Sequence, residues 1–388
     1  MKKYIFITAA LLAGVACAKV ETVETAAEKA ITFDVVNYSL QTRVSAYDKA
    51  NSFGTYAYAT PTDWATDGDA NVFFNNEKVS YGPTYAPNEW GTAGQNYWPK
   101  VAKLTFASYS PYVSAAGQGF SAVPTYSKAK GFEFPNYQII STTDVDVMVA
   151  DLVTDQTANQ TQYAVSGNTQ GVPTLFHHVL TQVAFQFKTV ANPNPNVAGF
   201  EVVVKDVTIQ NINNKGSYTQ IPAESGAKVW AGQTGTETYV FNEASSPITM
   251  DDPSKTYPDT PTSRILMPQT LVASAAAGES TPAVNGQQVV VTYTIRTNYG
   301  TASEPKWTEE NVTSTVDLLP PTETGSTTTA ITEWEPNMSI VYTLTISPFS
   351  NVPILFDPAV ADWQSVTGEI TVSTADAPAT TSGETTNP

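Results

Sequence analysis

The 388-residue chain has a single Cys and only two His. One Cys excludes an internal disulfide framework and any Cys-based zinc site. The two His, His177 and His178, are adjacent. On a strand they point to opposite faces, so they cannot chelate one metal ion as the spaced His pair of a helical zinc motif does, and a structural role is expected for both. Charge is also scarce, at 14% of residues against about 25% in an average domain. Lys+Arg number 19 against 36 Asp+Glu, a formal net charge of −17, which leaves no basic footprint for nucleic acid. No Gly-x-Ser-x-Gly, His-Glu-x-x-His or Walker sequence occurs. The acidic stretch Thr66–Asn71 lacks the spacing and the closing Glu of an EF-hand and reads as a polar turn. No enzyme activity, cofactor or metal site is therefore expected.

What fills the space is 41% hydrophobic residues, with Thr, Ser, Asn, Gln and Tyr where charge would normally stand. That mix suits β-strands and disfavours long solvated helices, and the length predicts about two domains. Lys2 and Lys3 precede an apolar run over residues 4–15, which is too short to span a bilayer as a mature helix and reads as an export signal. It ends in Gly14-Val15-Ala16-Cys17, small residues just before the only Cys. This resembles a lipobox, in which cleavage makes an acylated Cys17 the new N-terminus. The alternative is an ordinary secretory signal cut near Ala16 or Ala18. No other segment approaches the length of a membrane-spanning run, so the mature chain is expected to be soluble apart from the lipid. Residues 17–30 read as a tether.

Period-two alternation recurs along the body. Ile31, Phe33 and Val35 alternate in the first strand. Leu104 and Phe106 do so later, then Val145, Val147 and Val149, then Val183, Phe185 and Phe187. Val291, Tyr293 and Ile295 follow, and Ile340, Tyr342, Leu344 and Ile346 close the series. One apolar face and one polar face predict antiparallel strands packed on one side, arranged as β-sandwiches in series. The Gly- and Pro-containing stretch around residues 165–175 predicts the boundary. The expected organisation is a signal at 1–16, the tether at 17–30, β-sandwiches at 31–172 and 173–372, and a disordered tail at 373–388.

Three groups of side chains are candidate sites. Asp144 and Asp146 share one strand face and read as solvent-facing. Trp64, Trp90, Trp98, Trp307, Trp334 and Trp363 sit near turns, either stacking on sugar rings or plugging the ends of the sandwiches. Arg43 follows the strand that carries Ile31, Phe33 and Val35. A trypsin-like cut there would free residues 17–43 and make Val44 the new N-terminus. Loss of that strand would leave an apolar groove with unpaired backbone groups, a template for a strand from another molecule. The plainer reading of Arg43 is a surface charge.

The order of several short segments resembles the fimbrillin family of Bacteroidota, the subunits of the type V pilus. The segments include Ile31-Thr32-Phe33 leading to Thr42-Arg43-Val44, then Phe53-Gly54-Thr55-Tyr56-Ala57-Tyr58 and Tyr97-Trp98-Pro99. Leu104-Thr105-Phe106-Ala107-Ser108-Tyr109-Ser110-Pro111, Phe176-His177-His178-Val179-Leu180, Leu266-Met267-Pro268-Gln269 and Trp334-Glu335-Pro336 follow. The resemblance implies two transthyretin-like β-sandwich domains and a structural, adhesive pilus subunit. It also implies lipoprotein export through Cys17, maturation by an Arg-specific protease at Arg43, and polymerisation by strand exchange. The implied partners are other pilus subunits, the outer membrane through the lipid, and surface glycans or proteins as adhesion ligands. The implied location is the outer membrane for the precursor and a surface fimbria for the mature form. The last alternating strand, residues 368–372, precedes a polar tail, so Ile370 and Val372 are the candidate donor residues. The alternative function is a lipid-anchored surface protein that binds glycans through its Trp and Tyr residues.

Overall fold

The computed structural model describes residues 25–37, 45–67, 70–158, 171–191, 197–220, 228–277, 283–319, 331–347 and 355–362. Strands are the only regular elements among these residues, and no helix is present that could cross a membrane.

The first half of the chain builds a nine-stranded sheet. Its order is Met148–Ala150, Val172–His178, Phe33–Asn37, Trp90–Thr92, Asn71–Tyr81, Ser52–Thr60, Lys103–Ser110 and Val153–Gln156, with Ser45–Ala46 also on Phe33–Asn37. Met148–Ala150 pairs with Lys103–Ser110 as well as with Val172–His178, so the sheet closes on itself. The enclosed core holds Ile31, Phe33, Val35, Phe53, Phe106 and Phe176 among others. Closure removes the sheet edges, the usual liability of a β protein.

The second half pairs two sheets face to face. One runs Ser263–Leu266, Thr181–Thr189, Met338–Ile346, Leu355–Asp362. The other runs Glu237–Asn242, Gly199–Ile212, Gln288–Asn298, Trp307–Asp317, with Ile248–Met250 also on Gly199–Ile212. Val183, Phe185 and Phe187 are buried, and Phe185 stacks on Tyr342 (5.5 Å) and meets Phe241 of the opposite sheet edge-on (4.7 Å). The alternate residues Gln182, Gln186 and Lys188 are only partly buried, as the period-two pattern requires.

The structure departs from the sequence reading in several places. Thr25–Ala30, expected to belong to the tether, is a strand paired with Tyr97–Pro99. Two pairings are parallel: Phe33–Asn37 with Val172–His178, and Thr181–Thr189 with Met338–Ile346. Alternation reports which face a residue takes but not the direction of its neighbour. Sheet membership changes between His178 and Thr181 rather than at 172/173, because Val172–His178 pairs within the first sheet. Finally, Lys215–Gln220 pairs with Lys228–Thr234 on one side and with Gly131–Gln138 on the other. Residues from beyond the expected boundary thus extend a sheet begun before it, and one continuous core runs from Phe132 and Tyr137 through Trp230 to Val183.

Candidate assembly groove

The first strand lies inside the closed sheet. Ile31 and Phe33 are 1% exposed and Val35 is 6% exposed. Phe33 meets Phe53 and Phe106 edge-on, with ring centroids 5.5 and 5.6 Å away, the arrangement that aromatic quadrupoles favour. Thr32 and Asp34 on the other face are buried as well, so the segment is covered on both sides. Its backbone is held throughout. Thr25–Ala30 pairs with Tyr97–Pro99, the Ile31 amide donates to the Asn96 carbonyl oxygen (2.8 Å), and the Val172 amide donates to the Thr32 carbonyl oxygen (2.8 Å). Lys29 Nζ donates to the Ala158 carbonyl oxygen (2.7 Å).

Gly171 makes this close seating possible. A Cβ there would stand 2.6 Å from both the Asp34 backbone nitrogen and the Phe33 carbonyl carbon, a separation that real Cβ atoms do not tolerate. Sequence reasoning passed over Gly171 because it sits in a Gly- and Pro-containing stretch that reads as a linker. Gly followed by a β-rich apolar run was the available signal, since an isolated Gly beside a strand marks close backbone approach.

The structure brings Ile31, Phe33 and Val35 together in one core. Phe33–Asn37 and Ser45–Ala46 pair antiparallel, Val36 opposite Ala46 and Asn37 opposite Ser45, so positions 38–44 connect two neighbouring strands. Cys17, Arg43, Val44, Ile370 and Val372 lie outside the described residues, as do Gly68, Asp69 and Trp363. Trp64, Trp90, Trp98 and Trp334 are buried, as is Trp230, so these rings fill cores and offer no sugar platform. Trp307, at 36% exposure, has the Arg296 guanidinium 5.0 Å from its ring centroid.

The remaining polar candidates are structural. His177 Nε2 lies 2.9 Å from Asp151 and His178 Nδ1 lies 2.9 Å from Asp146. These pairs flank Met148–Ala150 at the seam that closes the sheet. Asp144 and Asp146 are not the solvent face of a strand. The strand begins only at Met148, and Asp144, just after the turn at 141–143, has a φ of 41°. Asp144 takes an ion pair from Arg264 (2.6 Å) and a hydrogen bond from the Ile265 amide (3.3 Å). It therefore ties the two halves of the chain together.

A fimbrillin-like family model matches residues 42–363. The chain belongs to the fimbrillin-like family. Fimbrillins are structural and adhesive subunits, and this one is not an enzyme. A fimbrial protein from Bacteroides vulgatus superposes with a TM-score of 0.54 at 16% identity, covering 86% of this chain and 99% of that one. Two putative cell adhesion proteins align over most of this chain at lower scores. One from Bacteroides uniformis gives a TM-score of 0.43 at 16% identity, covering 87% and 100% of the two chains. One from Parabacteroides distasonis gives 0.45 at 12% identity, covering 88% and 98%. No curated protein matches the fimbrillin's sequence. Membership of this family supports a pilus or adhesin subunit at the cell surface.

Proposed function

We propose that this fimbrillin is a subunit of a type V pilus that assembles by β-strand exchange in the groove now filled by Ile31, Phe33 and Val35. In this reading the chain is exported as a lipoprotein acylated at Cys17, and an Arg-specific protease then cuts between Arg43 and Val44. The freed segment yields the groove to a strand from another subunit, for which Ile370 and Val372 are the candidate side chains. The chain is organised as two β-sandwich units, with the 215–234 hairpin of the second completing a sheet of the first.

The observation that carries this reading is the position of Phe33–Asn37 in the middle of a closed sheet. Each of the buried side chains Ile31, Phe33 and Val35 contributes about 1.5–3 kcal/mol, an upper estimate because the unfolded chain is not fully extended. Together they disfavour departure of the strand by about 5–9 kcal/mol, so an uncut chain keeps its groove filled. Once the link at 43–44 is severed, the departed segment no longer returns at high effective concentration, and a competing strand can take its place. The family match begins at residue 42, and so excludes the segment that fills the groove. Main-chain hydrogen bonds would give the exchanged strand its affinity, and the Phe33 pocket its register.

The N-terminus of the protein recovered from cells tests this reading. A start at Val44 on fimbriae, with acylated Cys17 on the precursor, is the expected result. A chain in fimbriae that still begins at Cys17 contradicts it.

A further inference from the structure

We propose that the N-terminal strand is a shear joint, so that tension on the N-terminal end of the uncut chain loads all of its bonds at once. Phe33–Asn37 and Val172–His178 are parallel, with Val172 opposite Phe33 through to Phe176 opposite Asn37. The chain enters the first strand at its Phe33 end. It leaves the second at its His178 end, and only Val179 and Leu180 separate that end from Thr181–Thr189. A pull between the N-terminus and the second core therefore leaves this strand pair at opposite ends. The two strands must slide past each other, and every hydrogen bond between them yields together, along with the seats of Phe33 and Val35. A pull that left the pair at one end would break the bonds one at a time.

The far side of the joint is anchored. Val179 and Leu180 are fully buried. The Val179 amide donates to the Val147 carbonyl oxygen (3.0 Å), and its own carbonyl oxygen accepts from Trp230 Nε1 (2.5 Å). The Leu180 carbonyl oxygen accepts from the Asn337 amide (3.0 Å). Thr181–Thr189 then runs between Ser263–Leu266 and Met338–Ile346, in register with the latter from Gln182 opposite Ser339 to Thr189 opposite Ile346. On the near side, Thr25–Ala30 adds its pairing with Tyr97–Pro99. The inference concerns the uncut chain alone and does not depend on strand exchange.

Single-molecule pulling on the full, unacylated chain tests it, with the thiol of Cys17 as one handle in every case. In the first chain the second handle is Val190→Cys, one residue beyond Thr189 at a position 41% exposed. In the second it is Val101→Cys, 82% exposed and two residues beyond Pro99, which opposes Thr25. The 17/190 handles load Phe33–Asn37 against Val172–His178 in shear, whereas the 17/101 handles peel Thr25–Ala30 from Tyr97–Pro99 from one end. The expected result is a first-rupture force several-fold higher for the 17/190 pair at equal loading rate. Phe33→Ala in the 17/190 chain should lower that force. Equal forces in the two geometries, or a higher force for 17/101, overturn the proposal.

Discussion

Truncating Phe33 to Ala removes the ring that fills the centre of the groove. The ring is buried and touches Phe53 and Phe106 edge-on at 5.5 and 5.6 Å, so neither neighbour can move into the gap without losing its own contacts. A Phe→Ala change in such a site costs about 3–5 kcal/mol, the lost transfer energy plus the cavity. The local reporter is the Val172 amide, which donates to the Thr32 carbonyl oxygen at 2.8 Å. If opening of this strand governs its exchange, protection of that amide should fall by about 150- to 5,000-fold in Phe33→Ala. Lys29→Ala serves as the comparison. It removes one partly buried hydrogen bond, to the Ala158 carbonyl oxygen, and should cost only about 0.5–1.5 kcal/mol. Native-state hydrogen exchange read by mass spectrometry or NMR measures both. Unchanged protection of Val172 in Phe33→Ala, or equal loss in the two variants, would show that the ring does not hold the strand.

Three further outcomes are expected. Gly171→Ala forces a methyl group against the Phe33–Asp34 backbone and should destabilise the seated strand by about 1–3 kcal/mol, seen as faster proteolysis of the N-terminal segment; a neutral effect would contradict the close approach. In the second half, Phe185→Ala should lower stability by about 3–5 kcal/mol in denaturant melts, whereas Gln186→Ala, one residue on and on the opposite face, should lower it little. At high pH the buried tyrosines should drive unfolding. Burial pushes Tyr56 up to about 12 from an ordinary 10.0 and raises Tyr109, Tyr126, Tyr137 and Tyr218 as well. The folded state thus holds these protons more tightly than the unfolded chain does. Their stabilisation is complete below about pH 10 and is lost as pH climbs through the native values. Phenolate absorbance should then rise in one step with the loss of near-UV circular dichroism; smooth titration of every Tyr with the fold intact would refute this.

The parts of the fold legible in the sequence were those governed by local alternation. Val183, Phe185 and Phe187 declare their buried face, because a one-residue shift would turn them to the partly exposed side of the strand; Ile31, Phe33 and Val35 alternate in the same way, although Thr32 and Asp34 between them are buried too. Pairing was not legible. Val172–His178 lies far along the chain from Phe33–Asn37, and nothing in either segment records that they meet, or that they run parallel. The 215–234 hairpin completes a sheet on the other side of the expected boundary for the same reason. Asp144 looked like part of an alternating strand because Val145, Val147 and Val149 continue the period, yet the backbone turns at Asp144 to reach Arg264. The seat of the Phe33 strand was half legible. Its three apolar side chains could be read from their alternation. Its wall, including Gly171 and the Phe53 and Phe106 rings, could be read only from the folded chain.

The central claim is that the strand carrying Ile31, Phe33 and Val35 keeps the subunit monomeric until the chain is cut after Arg43. Wild-type protein and Arg43→Ala should be treated side by side with a trypsin-like protease and run unboiled on a denaturing gel. The account predicts a ladder of heat-resistant oligomers from the wild type and a stable monomer from Arg43→Ala. A wild type that never ladders, or an Arg43→Ala protein that ladders equally well, would contradict it.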